Sequence, residues 1–255
     1  LLKLRWNKLG IGAIIVTLSD LKGENVEKAK EGGVKGLLGF HGTILLSTII
    51  PDKFLNEDTF NLALELIKKG GFDGVVGWDM PVYIDAPKVT NIINLTSATL
   101  FTVRFVKERI ATIPLLKGSD SSEMDIHSQW LKRLGFKQVA LHATEYIILR
   151  SKKYSKLRKI HEIAEDLYGV VLLKIRREIG AQPLIIGVMS PRSFPPLLYK
   201  ERSKPSFAGM SWLLEAKEWH IYHRSKIINL KDSVMECGCE ACFGKSANQI
   251  SRSVE

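Results

Sequence analysis

The sequence predicts an α/β protein of the TIM-like (β/α)8 barrel type with a C-terminal zinc-binding subdomain. Three observations carry this. Short apolar, β-branched runs alternate with helical periods along the chain, which is the pattern of repeated βα units on a parallel sheet. Seven or so such units within 255 residues match the size of a barrel. All three cysteines crowd into one short stretch near the end of the chain. A doubly wound open sheet is the competing architecture. Its dinucleotide and phosphate-loop versions lack their main support, because no GxGxxG follows the first apolar run and no GxxxxGK[ST] occurs.

The strand-like runs span 11–18, 35–46, 74–78, 110–116, 137–142, 184–189 and, more weakly, 206–210. Helical patterns lie between them. The first covers 56–69 and stops at Gly70-Gly71, and the second covers 87–108. The third covers 121–134, with Ser121 or Ser122 as its cap and Gly135 as its stop. Further helical patterns follow over 154–168, 170–178 and 212–223. The expected organisation is a barrel over 1–225 with a zinc-binding segment over 226–255 packed on it.

Apolar residues make up 45% and charged residues 25% of the chain, which is enough apolar material for a substantial core. No run approaches the roughly 20 apolar residues of a membrane helix, and the first ten residues lack a signal-peptide layout. These features lead to the expectation of a cytoplasmic protein with no membrane partner. The net charge is +10 and the isoelectric point about 9.4. A basic surface of this kind suits a polyanion, because Lys and Arg displace counterions from phosphates. Lys152, Lys153, Lys156, Arg158 and Lys159, next to Arg150, form the densest basic cluster. They are the candidate contacts to a nucleic-acid backbone, and a solvated helix face is the alternative.

In a barrel, chemistry gathers at the carboxyl ends of the strands. That rule selects Ser47, Asp79, Lys117 and His142. Lys117, His142 and the nearby Glu145 form a titratable group at adjacent strand ends, suited to acid–base catalysis or to holding an anion. Ordinary rim residues are the competing reading. Trp78, Tyr83 and Trp212 offer aromatic faces for a base, or else belong to the core.

Cys237, Cys239 and Cys242 read Cys-Gly-Cys-Glu-Ala-Cys. Closely spaced thiolates in a glycine-containing loop fit the soft tetrahedral preference of Zn²⁺, and an odd count argues against a pure disulfide role. The fourth ligand is open: His220, His223, Glu240, a partner subunit or residues further along a longer chain are the candidates.

A barrel followed by Cys-x-Cys-x-x-Cys resembles the tRNA-guanine transglycosylases, which exchange a guanine in tRNA for a 7-deazaguanine base. Leu37-Leu38-Gly39-Phe40-His41-Gly42-Thr43-Ile44-Leu45 resembles the family segment leading into Thr-Asp-Ser-Gly-Gly-Phe. Gly77-Trp78-Asp79-Met80-Pro81-Val82-Tyr83 resembles the strand end whose aspartate recognises the base. Residues 113–118 fall at the family's Gln-Gly strand end, with Lys117 in place of Gln. Pro183 to Gly187 resembles the strand before the nucleophile segment, and Lys226 to Lys231 the stretch before the zinc cluster. The resemblance covers roughly residues 35–244.

It implies a base-binding set of Asp79, Tyr83 and Ser47, a structural Zn²⁺, and tRNA as partner. It also implies departures from the family. The first aspartate of Thr-Asp-Ser-Gly-Gly falls on Ser47, and the nucleophilic aspartate falls on Ala208. Covalent base exchange needs that carboxylate. The expectation is therefore a relative with altered chemistry in 7-deazaguanine modification of tRNA. The Pro-Cys-x-x-Lys-Pro-Tyr-type motif of archaeosine synthase is absent. The alternatives are a DNA 7-deazaguanine transglycosylase-like protein, with Asp52, Asp85 or Glu215 as its carboxylate, and a non-catalytic nucleic-acid-binding subunit. That subunit would work as a homodimer or beside a catalytic partner. A generic barrel enzyme with an incidental zinc clip stands outside the family.

Overall fold

Seven strands run parallel and neighbour one another in the order in which they occur along the chain. They are β1 (Ala13–Thr17), β2 (Thr43–Ser47), β3 (Gly74–Val76), β4 (Thr112–Ile113), β5 (Val139–His142), β6 (Pro183–Ile186) and β7 (Ser206–Ala208). The computed structural model describes residues 12–21, 23–142, 179–180, 183–187, 206–208, 220–223 and 226–229. The ladders β1–β4 and β5–β7 are joined by a parallel bridge between Leu115 and Ala140. There Leu116 N–H donates to Ala140 O at 2.9 Å and Ala140 N–H to Pro114 O at 2.7 Å. The architecture is mixed α/β on parallel strands, as the alternating pattern predicts.

Five helices are described: α1 (Glu24–Gly32), α2 (Val34–Leu38), α3 (Glu57–Gly70), α4 (Lys88–Lys107) and α5 (Ser121–Arg133). Asn56 caps α3 by accepting from Thr59 N–H at 2.9 Å, and Gly71 ends it at φ 70°. The expected serine cap of α5 is corrected to Asp120, whose carboxylate accepts from Glu123 N–H at 2.8 Å. An ionised acceptor answers the positive helix start better than a hydroxyl does. The expected single strand over 35–46 is also corrected. Val34–Leu38 forms α2, which closes at left-handed Gly39, and β2 begins at Thr43.

A third correction falls on the expected helix over 212–223. Its last four residues form β8 (His220–His223), antiparallel to β9 (Lys226–Asn229).

The side chains of the parallel strands divide cleanly. Val16, Ile44, Leu46 and Val75 pack with Ala29, Val34, Leu38, Phe60, Leu66 and Phe105 from the helices. The alternate residues Ile15, Leu45, Val76, Ile113, Leu115, Ala140, Leu184 and Ile186 pack on one another with Ile49, and among the described residues no helix residue joins this second cluster. Period-two alternation is thus satisfied on both faces, and the described helices pack against one of them. Among the described residues, no helix is long and apolar enough to cross a membrane.

Candidate functional site at the carboxyl ends of the strands

Ser47 is the last residue of β2 and lies on the face of Leu45, away from the helices. It is buried, and its Oγ accepts from Ile49 N–H at 3.3 Å. The buried hydroxyl of the next residue, Thr48, reaches the Val76 and Gly77 carbonyls at 3.0 and 2.5 Å. It thereby ties the end of β2 to the chain leaving β3. Three residues past the end of β3 stands Asp79. Lys117 stands two residues past the bridge of β4 to β5.

These two residues meet. Lys117 Nζ donates to Asp79 Oδ1 at 2.6 Å and to Met80 O at 3.0 Å, and both side chains are less than a tenth exposed. Two opposite charges withdrawn from water this far must compensate one another. Gly118 lets helix α5 come close behind Lys117, since a Cβ there would lie 2.8 Å from Met124 N.

The backbone of Lys117 is held by His127 of α5, a fully buried imidazole. Nδ1 lies 3.2 Å from Lys117 N and 3.1 Å from Lys117 O, and Nε2 lies 3.4 Å from Thr99 Oγ1. Thr99 gives its own proton to Leu95 O at 2.8 Å, so its oxygen is left to accept. This assigns a neutral ring with the proton on Nε2 and Nδ1 accepting from Lys117 N–H. Burial lowers the His127 pKa to about 4, opposed in part by the Lys117 carbonyl, and so favours the neutral form.

A second buried network fixes the loops that carry the pair. Glu123 accepts from Ser119 N–H at 2.7 Å, from Ser119 Oγ at 2.8 Å and from Asn91 Nδ2 at 3.2 Å. Asn91 also exchanges two bonds with the backbone of Tyr83, at 3.2 and 2.9 Å. The loops after β3 and after β4 are therefore stitched together on either side of Asp79 and Lys117. Tyr83 is half exposed, and its hydroxyl donates to Asp52 in the loop after β2.

No protein-family model matches this chain, and no curated protein matches it.

His142 ends β5, on the same face as Ala140. It stands two residues beyond the bridge on its strand, as Lys117 does on its own. The two lie at the same end of the sheet. Ala208, the last residue of β7, is the ladder partner of Ile186. Trp78 is only 1% exposed and stacks edge-on to Phe60 with ring centroids 5.5 Å apart, so it serves the core rather than a ligand. Glu145, the cluster Lys152, Lys153, Lys156, Arg158 and Lys159, Trp212, Glu215 and the cysteines Cys237, Cys239 and Cys242 lie outside the described residues. Among the described residues, no group of three or more His, Cys, Asp or Glu could hold a metal ion.

Sequence reasoning missed His127, Glu123 and Asn91. The signal was available: Met124, His127, Ser128 and Leu131 share the buried face of α5 at helical spacing. A histidine within such a stripe marks a polar group that must find a partner inside.

Proposed function

We propose that this chain is a transglycosylase-like (β/α)8 barrel acting in 7-deazaguanine modification of tRNA, with chemistry other than covalent base exchange. What carries the reading is the resemblance over residues 35–244, in which the family's nucleophilic carboxylate falls on Ala208, the last residue of β7. A methyl group cannot attack an anomeric carbon. Closure into a barrel is supported by the sequential parallel order and by a second face that, among the described residues, packs without helices. An open doubly wound sheet would reverse its strand order and cover both faces with helices.

In this reading Asp79 accepts N–H groups from the Watson–Crick edge of a guanine-like base. Lys117 balances its charge and supplies a neighbouring donor. Tyr83 and Ser47 border the base, while Lys117 and His142, with Glu145, are the groups for acid–base work. The basic residues 152–159 hold the phosphate backbone, and the protein is cytoplasmic.

The test is binding and mass analysis with tRNA and duplex DNA, each with and without 7-deazaguanine. The expected result is salt-sensitive binding of tRNA with preference for the modified base, a mass change, and no covalent protein–RNA adduct. Asp79→Asn is expected to weaken the base preference roughly tenfold to a hundredfold. A preference for modified DNA transfers the reading to DNA, and binding without a mass change makes the chain a non-catalytic subunit. No binding to any of these nucleic acids overturns it.

The cysteine cluster belongs to the same proposal as a structural Zn²⁺ site. Structural zinc contributes on the order of 10 kcal/mol or more to folding of small domains. Purified chain is expected to carry one zinc per molecule. Cys239→Ser is expected to lose it and to lower the melting temperature, whereas full metal retention in the variant would exclude that cysteine as a ligand.

A further inference from the structure

The exposed large aromatic rings among the described residues are Phe54 and Tyr83, at 49% and 50%. Both stand at the carboxyl ends of the strands, on the loops that follow β2 and β3. The two loops meet there, because the Tyr83 hydroxyl donates to the Asp52 carboxylate. Asp52 and Phe54 belong to one tight turn, in which Phe54 N–H donates to Pro51 O and Leu55 N–H to Asp52 O, each at 2.9 Å. That turn sets the Cα of Phe54 roughly 5 Å from that of the residue holding Tyr83. Tyr83 is fixed at its backbone as well, since its N–H and its carbonyl both bond the buried Asn91 side chain, at 3.2 and 2.9 Å. A ring anchored at backbone and hydroxyl, yet half in solvent, offers a preformed surface at little further cost in conformational entropy.

Charge points to what this surface suits. Lys53 places its ammonium 4.9 Å from the centroid of the Phe54 ring. It forms no ion pair with a described carboxylate. The carboxylate in the same turn, Asp52, is engaged by Tyr83. An exposed ring beside a cation matches the two parts of an unpaired nucleotide: the base stacks and the phosphate meets the ammonium. A protein partner fits less well, because lysine is depleted at protein interfaces. Tyr83 follows Asp79 by four residues, at most about 14 Å of chain, so the rings lie close to the carboxylate assigned to the base.

We infer that Phe54 and Tyr83 stack the unpaired nucleotide next to the base read by Asp79, with Lys53 at its phosphate. This rests on the nucleic-acid reading above. The test measures binding of the full chain to a short single-stranded RNA carrying one 7-deazaguanine, and to versions in which either neighbouring base is removed to leave an abasic site. Phe54→Ala and, separately, Tyr83→Ala are expected to weaken binding of the complete RNA roughly tenfold, whereas Phe54→Trp retains it. Removing one neighbouring base is expected to cost the parent a similar factor and Phe54→Ala little more, because the stacked pair is then already broken. Lys53→Met is expected to lower the slope of log affinity against log salt by about one. Lys53 and Phe54 are exposed, so the far-ultraviolet circular dichroism of their variants should match the parent. A parent that binds none of these RNAs sinks the tRNA reading and this inference together. A parent that binds them overturns the stacking inference alone if Phe54→Ala loses no affinity, or if parent and variant suffer equally from the missing neighbour.

Discussion

Replacing Asp79 by alanine is expected to destabilise the protein by about 3–5 kcal/mol, among the largest effects of any single substitution in it. The reason is the charge left behind. Lys117 Nζ sits 2.6 Å from Asp79 Oδ1 with both side chains almost fully withdrawn from water. Without the carboxylate, the buried ammonium loses the opposite charge beside it while the Met80 carbonyl at 3.0 Å stays in place. Lys117→Met removes the opposite member and is expected to cost a similar amount. The double variant Asp79→Ala/Lys117→Met should recover most of the loss, because neither charge is then stranded. Urea unfolding of the four proteins gives the coupling directly. Additive single effects of under about 1 kcal/mol each would show instead that water reaches the pair and screens it.

The second large effect is on pH dependence. His127 titrates at about 4 in the folded protein, against 6.5 for an ordinary histidine, because burial disfavours its charged form. As pH falls below 6.5 the unfolded chain takes up a proton here and the folded chain does not, so stability falls. It is complete above 6.5 and is lost progressively down to about 4. At roughly 1.4 kcal/mol per pH unit, the total is on the order of 3–4 kcal/mol. His127→Asn keeps an acceptor for Lys117 N–H but removes the titration, and should flatten the profile between pH 6.5 and 5. Asp73 and Asp120, whose pKa values are lowered mainly by backbone N–H donors, lose their contribution only at still lower pH. Among the described residues with shifted pKa values, the window above pH 5 therefore belongs to His127. A variant whose urea midpoint falls as steeply as that of the parent would refute this assignment.

Most of the strand ends were legible in the sequence, because β-branched runs and period-two alternation act locally. Ser47 and His142 close β2 and β5 as expected, and Asp79 and Lys117 follow their strands. Helix α1 escaped notice because it is short and rich in charge, with Ala29 its one buried residue and Val26 packed beside it. The misreading over 35–46 has a similar origin: apolar residues of a short helix and of a strand adjoin, and only Gly39 and Gly42 separate them. Side-chain partnership was the illegible part. That Asp79 meets Lys117 across 38 positions, and that Asn91 meets Glu123 across 32, follows from strand order and helix placement, which no local pattern encodes.

The sequential order of the strands also governs how the sheet can be assembled. Each strand offers one side to its predecessor and leaves the other open until the next crossover has been made. During synthesis, growth can proceed from the N-terminal end with a single live edge that moves forward along the chain. Each newly added strand shields the one before it from pairing with other molecules. Every crossover must close a long loop before its contacts repay the entropy, so assembly is intrinsically slow. Between β4 and β5, where pairing narrows to the bridge at Leu115 and Ala140, the advancing edge is held by the fewest backbone bonds. That junction is the natural pause in assembly, and it lies directly beneath Lys117 and His142.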